Sequence, residues 1–197
     1  RRGMPTLKKL TAGGSASLGE LGMLVALRLL QSEFEENPAG PGVAPVEASE
    51  EVLNLVVPVD PFQNHFENLR AALHKGGGER PDLMVVSVRF ERGEPVSAKV
   101  TPIEVKARSS VMNASERKSA LGQAKSFAEL IKSVRDAGEK HELWGIAWRS
   151  LIVSWLDYAF RVYGQLDQFL HHSDWAKIHE AVLSAVMSGT LSPEVDD

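Results

Sequence analysis

The sequence predicts an α/β protein: a mixed sheet flanked by helices, with a helical C-terminal extension. Three observations predict it. Two apolar, strand-like runs joined by a turn lie between Leu83 and Lys106; helical spacing precedes and follows them; and amphipathic stretches continue from Leu143 to Met187. With 197 residues, 43% hydrophobic and 24% charged, the chain can build one domain with a sizeable core and has neither a disordered nor a fibrous composition.

Taken in order, "SLGELGMLVALRLLQSEF" places Leu18, Leu21, Leu24, Val25 and Leu27 to Leu29 at helical spacing, with Ser17 as N-cap and Glu20 three residues on. The Pro/Gly-rich run from Asn37 to Pro45 predicts a flexible connection, and "VLNLVVPVD" a short buried strand ended by Pro58 and Pro61. A loop containing Gly76, Gly77 and Gly78 then leads to Asp82. Leu83 to Phe90 is nearly all apolar or β-branched, as in a strand covered on both faces. "ERGEP" supplies a turn, and Lys99 to Lys106 the returning strand, with Pro102 pointing to a bulge or an edge. Ser115 to Arg135 is helical, with Leu121, Phe127, Leu130, Ile131 and Val134 on one face; two more helices follow, separated near Gly164 or His171 to Asp174. The expected division is a flexible lead (1–16), a core (17–140), a helical C-terminal part packed on the core (141–190) and an acidic tail (191–197).

Composition removes several function classes. Without cysteine there is no disulfide framework, thiolate zinc site or cysteine nucleophile, which fits a reducing compartment, the cytoplasm by default. No run offers the roughly 20 apolar residues of a membrane helix, since "LWGIAWRSLIVSWLDYAF" is broken by Arg149 and Asp157. "RRGMPTLKKLTAGGSAS" has no apolar centre and does not read as a signal peptide; the start at Arg1, without methionine, implies a chain trimmed or cut from something longer. A formal charge of −4 argues against a wholly basic nucleic-acid coat protein, although cations outnumber anions from Lys99 to Arg135, as on a solvated helix face.

The chemistry concentrates in "ERPDLMVVSVRFERGEPVSAKVTPIEVKARSS". Glu104 and Lys106 are two apart in a strand, so both side chains leave the same face. Asp82 and Glu104 are equidistant from Gly93, so a hairpin centred there sets them opposite each other, about 4.5–5.5 Å apart at Cβ, if Pro102 does not shift the register. Carboxylates that close repel, and a divalent cation removes the conflict. Hard oxygen ligands suit Mg²⁺ or Mn²⁺, which typically take one or two protein carboxylates and fill the remaining positions with water or phosphate. A neighbouring lysine can orient a water or stabilise charge developing on a phosphate.

Pro81-Asp82 followed by Glu104-Val105-Lys106 on the next strand resembles the PD-(D/E)XK signature of the restriction-endonuclease-like nuclease superfamily. The order helix with Glu20, strand, strand opening with Asp82, strand with Glu104 and Lys106, and helix is similar to the family's α-β-β-β-α-β core, over residues 17 to 135. The resemblance implies that Asp82 and Glu104 bind the metal with the backbone carbonyl of Val105, that Lys106 positions the attacking water, that Glu20 is a further or water-mediated ligand, and that Gln123 holds the lysine or a phosphate. Two features depart from the family: Phe127 stands where a Tyr often follows the Gln, and no strand is evident after the second helix, in "ELWGIAWRSLIVSW". The implied function is a metal-dependent DNA nuclease using Mg²⁺ or Mn²⁺, in bacterial phage defence or DNA processing, beside or fused to a helicase, translocase or other ATPase, and pairing with a second copy where duplex cleavage demands it. A catalytically silent nuclease-fold module that binds DNA or a partner protein, and a structural α/β domain with a solvated charge cluster, are the alternatives.

Other features read as structure. His171, His172 and His179 match no zinc spacing. Trp144, Trp148 and Trp155 recur at core spacing, Asp60 suits a turn after the first strand, and "TAGGSAS" lacks the lysine of a phosphate loop.

Overall fold

The computed structural model of the chain describes residues 15–36, 43–47, 50–75, 80–91, 96–108, 110–163, 165 and 175–196. Along the chain run α1 (Ser15–Glu36), β1 (Val43–Glu47), β2 (Glu50–Pro58), a 3₁₀ turn (Asp60–Phe62), α2 (Gln63–Ala72), β3 (Leu83–Glu91), β4 (Ser97–Ile103), α3 (Ala114–Lys140), α4 (Glu142–Tyr163), α5 (Trp175–Ser188) and β5 (Glu194–Val195). The strands form one sheet in chain order, antiparallel from β1 to β4 and parallel between β4 and β5. The α/β class, with a mixed sheet flanked by helices, is the one the sequence predicts.

Register follows the symmetry of the turn. β3 and β4 pair from Leu83↔Ile103 to Arg89↔Ser97, centred on Gly93, and Pro102 faces Met84 without a shift, so the bulge anticipated there does not form. β2 and β3 pair without interruption from Glu50↔Glu91 to Pro58↔Leu83. Because side chains alternate, Leu55, Met84, Val86 and Val100 share one face, and Phe66, Phe127, Ile131 and Trp155 pack with them in a single core. Burying each such side chain stabilises the fold by about 1.5–3 kcal/mol. On the opposite face Leu83 and Val85 are also buried, which accounts for the unbroken apolar run of β3. Asn54 is buried there too, and the Ser87 hydroxyl, directly across the ladder, donates to its Oδ1 at 2.5 Å. That bond removes the desolvation penalty of an unsatisfied amide oxygen.

Four expectations need correction. The stretch after Asp60, read as loop, contains α2: Pro61 opens the turn, and Phe62, Phe66, Leu69 and Leu73 recur at helical spacing on a core-facing stripe. The end of the presumed flexible connection, Val43 to Pro45, belongs to strand β1 (Val43–Glu47), which pairs with β2. Leu121 is not on the buried face of its helix but 72% exposed, while Phe127, Leu130, Ile131 and Val134 are buried as predicted. The C-terminal residues are not a tail. Leu191 and Val195 are buried, Val195 pairs with Val100, and the Asp196 amide donates to the Val100 carbonyl at 3.0 Å. No strand forms in "ELWGIAWRSLIVSW", which lies within α4; the strand that follows is β5, after α5. The lead, 1–16, lies outside the described residues except for its last two, which open α1, and so do Gly164 and His171 to Asp174.

Local chemistry sets the helices around the sheet end. Asn113 caps α3 by accepting the Glu116 amide, and Glu116 returns the bond to the Asn113 amide, a reciprocal capping box. α3 and α4 touch backbone to backbone at their junction, where a Cβ on Gly138 would lie 3.2 Å from Gly145 Cα. α1 crosses the segment after β4 so closely that a Cβ on Gly22 would lie 2.2 Å from Ala107 Cβ.

Candidate active site

Three strand ends meet where the antiparallel ladders stop. The Val59 amide donates to the Asp82 carbonyl at 3.0 Å, which extends β2 alongside β3 by one step and brings the Asp60 turn next to Asp82. On the other side β4 ends at Ile103, before Glu104, so Glu104 and Lys106 lie just beyond the strand in which they were expected. The reason is local. Instead of a ladder carbonyl, the Val105 amide finds the Asp82 carboxylate, donating to Oδ2 at 2.9 Å. Asp82 thereby fixes the backbone between Glu104 and Lys106, and the two acids stand one position beyond the last ladder pair, Leu83 and Ile103.

Lys106 turns back to Glu104, with Nζ 2.5 Å from Oε1. The Glu104 side chain is 6% exposed and that of Lys106 32% exposed, so the ion pair has one buried and one accessible end. Asp82, Glu104 and Lys106 line one cavity of about 700 Å³, whose other walls come from α2 and α3. Gln123 enters from α3, one turn before buried Phe127, and its Oε1 is buried without a hydrogen bond. The arrangement is therefore a carboxylate pair, an ammonium and an unsatisfied amide oxygen around a polar space.

Glu20 is placed on α1 by the fold, but its side chain lies outside the described residues. α1 borders Glu104 to Arg108 from the other side, in a separate apolar groove with Leu21 and Val25, and none of its described residues lines the site cavity. The helix that does line it is α2, through Gln63, Glu67 and Arg70, at the i, i+4, i+7 spacing of one face. Gln63 donates to Glu67 at 2.6 Å. Sequence reasoning missed these residues along with their helix, although the Phe62-Phe66-Leu69-Leu73 stripe identifies α2 and thereby its opposite, polar face.

Cations ring the same space. Arg80 pairs with Asp60 at 3.0 Å, and Lys75 donates to the Ser133 hydroxyl at 2.5 Å. The Arg70 guanidinium is held below its ordinary pKa, first by partial burial and then by the Arg80 charge, with Glu67 opposing. Outside the cavity, three cations of the run from Lys99 to Arg135 are paired: Lys99 with Asp196, Arg108 with Glu116 and Arg135 with Asp136. Trp148 and Trp155 are buried, as core spacing predicts. His179 stacks on Phe160 with centroids 4.6 Å apart, while His171 and His172 lie outside the described residues.

Among the described residues no three His, Cys, Asp or Glu side chains cluster closely enough to hold a metal ion. Of the four carboxylates among its described lining residues, Asp82 and Glu104 lie at the strand ends, and with the unsatisfied Gln123 oxygen this donor set fits a hard cation that keeps most of its waters. No helix of the described residues is long and apolar enough to cross a membrane. Compared with known proteins, the chain matches no family model, no curated protein and no solved structure.

Proposed function

We propose that the chain is a metal-dependent deoxyribonuclease domain with a restriction-endonuclease-like core, hydrolysing phosphodiester bonds with Mg²⁺ or Mn²⁺. The observation that carries this reading is the Asp82 carboxylate bonded to the Val105 amide, beside the Glu104–Lys106 pair and in one cavity with it. Asp82 and Glu104 would hold the cation, together with the Val105 carbonyl. A divalent ion bound there supplies a lowered water pKa and polarises a phosphoryl oxygen. Lys106, at the accessible end of its pair, orients the attacking water and offers positive charge to the phosphate. Gln123 can accept a hydrogen bond at Oε1 from that lysine or from a water. Glu67 stands in the cavity where the sequence reading assigned a helical acid to Glu20.

The broader setting belongs to the same proposal: a cytoplasmic defence or DNA-processing system, with DNA delivered by a helicase, translocase or other ATPase, and a second copy where both strands are cut. The test is cleavage of supercoiled plasmid by the purified chain in Mg²⁺, Mn²⁺ or EDTA, with Glu104→Ala and Lys106→Ala run beside it. Metal-dependent nicking lost in both variants supports the reading; equal activity in all three proteins removes it. Phe127 favours a second reading, a silent module that binds DNA or a partner protein, because it is fully buried against Phe66 and offers no hydroxyl to the site. DNA association without hydrolysis in either metal would select that reading.

A further inference from the structure

Among the described residues lining the site cavity, the charged side chains are four carboxylates and four cations. Only part of this set is used by the proposed chemistry at Asp82, Glu104 and Lys106. The remaining cations, Arg70, Lys75 and Arg80, converge from the end of α2 and from the residue next to Pro81, on the side of the cavity where α2 runs. The Lys75 backbone amide donates to the Arg70 carbonyl at 2.9 Å while its ammonium donates to the Ser133 hydroxyl of α3, and Arg80 is braced by Asp60. Two guanidiniums lining one cavity repel each other, and an anion between them relieves the repulsion. Guanidinium forks also match the paired oxygens of a phosphate.

We propose that Arg70, Lys75 and Arg80 form a second phosphate subsite, which takes the phosphodiester neighbouring the one held at Asp82, Glu104 and Lys106. The inference rests on reading the cavity as a phosphodiester site, and it narrows the substrate to a strand. The charges of the described lining residues cancel, so a divalent cation bound there would leave two positive charges among them, which two adjacent phosphodiesters would neutralise and a single one would not. The Arg70 environment agrees, since part of what lowers its pKa is the Arg80 charge, a repulsion that a bound phosphate would offset.

The experiment is fluorescence anisotropy of a labelled oligodeoxynucleotide with the full chain in Ca²⁺, across a salt series, with strand integrity checked on a gel. Arg70→Gln, Lys75→Gln and Arg80→Gln are each expected to weaken binding several-fold and to reduce the slope of log K against log salt by about one. The Arg70→Gln/Arg80→Gln pair is expected to weaken it at least about tenfold. Thermal melting checks that each variant is folded, and Lys75→Gln keeps the test open if the Arg80–Asp60 brace proves structural. Unchanged affinity and slope in the folded variants would overturn the subsite. Displacement of the oligonucleotide by millimolar inorganic phosphate would overturn the strand reading and assign the site to free phosphate. The two proposals fail separately: weakened binding with no cleavage by the wild-type chain upholds the subsite against the hydrolase, and unchanged binding with Lys106-dependent cleavage does the reverse.

Discussion

Helix α2 separates two cavities of opposite character. On one side Gln63, Glu67 and Arg70 look onto the sheet end, a space of about 700 Å³ with eight charged residues in its wall. On the other, His65, Leu69 and Ala72 face Leu143, Trp144 and Leu151 across a space of about 430 Å³ in which His65 is the sole titratable residue among the described ones. Both spaces share the same scaffold, because Phe66 anchors the helix from beneath, edge-on to Phe127 at 4.7 Å and tilted against Trp155 at 5.7 Å. Apolar packing needs no further explanation, since area removed from water stabilises it. Charges gathered in a concavity do, because partial desolvation costs free energy that ion pairing only partly returns. Concentrated on one side of a short helix, they are the mark of a site, and the apolar side is what holds that helix still.

The comparison can be broken at either cavity. Lys106→Ala removes the accessible charge of the polar side and is expected to lower metal-dependent cleavage by about 10²–10⁴-fold with little change in melting temperature; steady-state rates beside a thermal melt check this. Phe66→Ala strikes the shared anchor, which is 2% exposed, and is expected to cost about 3–5 kcal/mol in urea unfolding and to impair both sides together. Leu151→Ala, on the apolar side and 4% exposed, is expected to cost about 2–5 kcal/mol while cleavage per folded molecule stays at the wild-type level. Asn113→Ala removes the cap of α3 and should cost about 1 kcal/mol by the same unfolding measurement.

The smallest effect lies at β5. Burial pushes the Asp196 carboxyl up, but hydrogen bonds from Lys99 and Thr101 and the Lys99 and Lys132 charges more than offset it, so its pKa is lowered from 3.8. A depressed folded-state pKa contributes stability that is present above the unfolded value and lost as pH falls through the folded one. Asp196→Asn should therefore cost less than about 1 kcal/mol at neutral pH, a difference that vanishes well below pH 3.8.

The legible parts of this molecule are those with short-range causes. Leu83 pairs with Ile103 because both are ten residues from Gly93, and that symmetry, which sets Asp82 and Glu104 one position beyond the last pair, is readable without coordinates. The continuous apolar run of β3 announces its double burial. Other parts depend on distant partners. β5 is two residues long and has no periodicity of its own; it is a strand because Val100 and Trp148, whose indole N–H donates to Ser192 at 3.2 Å, hold it in place. Leu121 stands nine residues before Leu130, half a turn away at about 100° per residue, so helical geometry itself takes it off the buried stripe, and grouping it with Phe127 and Leu130 was an error of spacing. α2 was legible and missed, since the adjacent glycines drew the whole stretch toward loop; with it went Glu67, Arg70 and the third wall of the site.

A titration of Mn²⁺ into the chain by calorimetry tests most directly whether the strand-end carboxylates hold a cation between them, with Asp82→Asn, Glu104→Gln and Leu151→Ala as comparisons. The expected result is one site in the wild-type protein and in Leu151→Ala, weakened at least about tenfold by either carboxylate change. No binding heat in the wild-type chain, or equal binding in all four proteins, would contradict it.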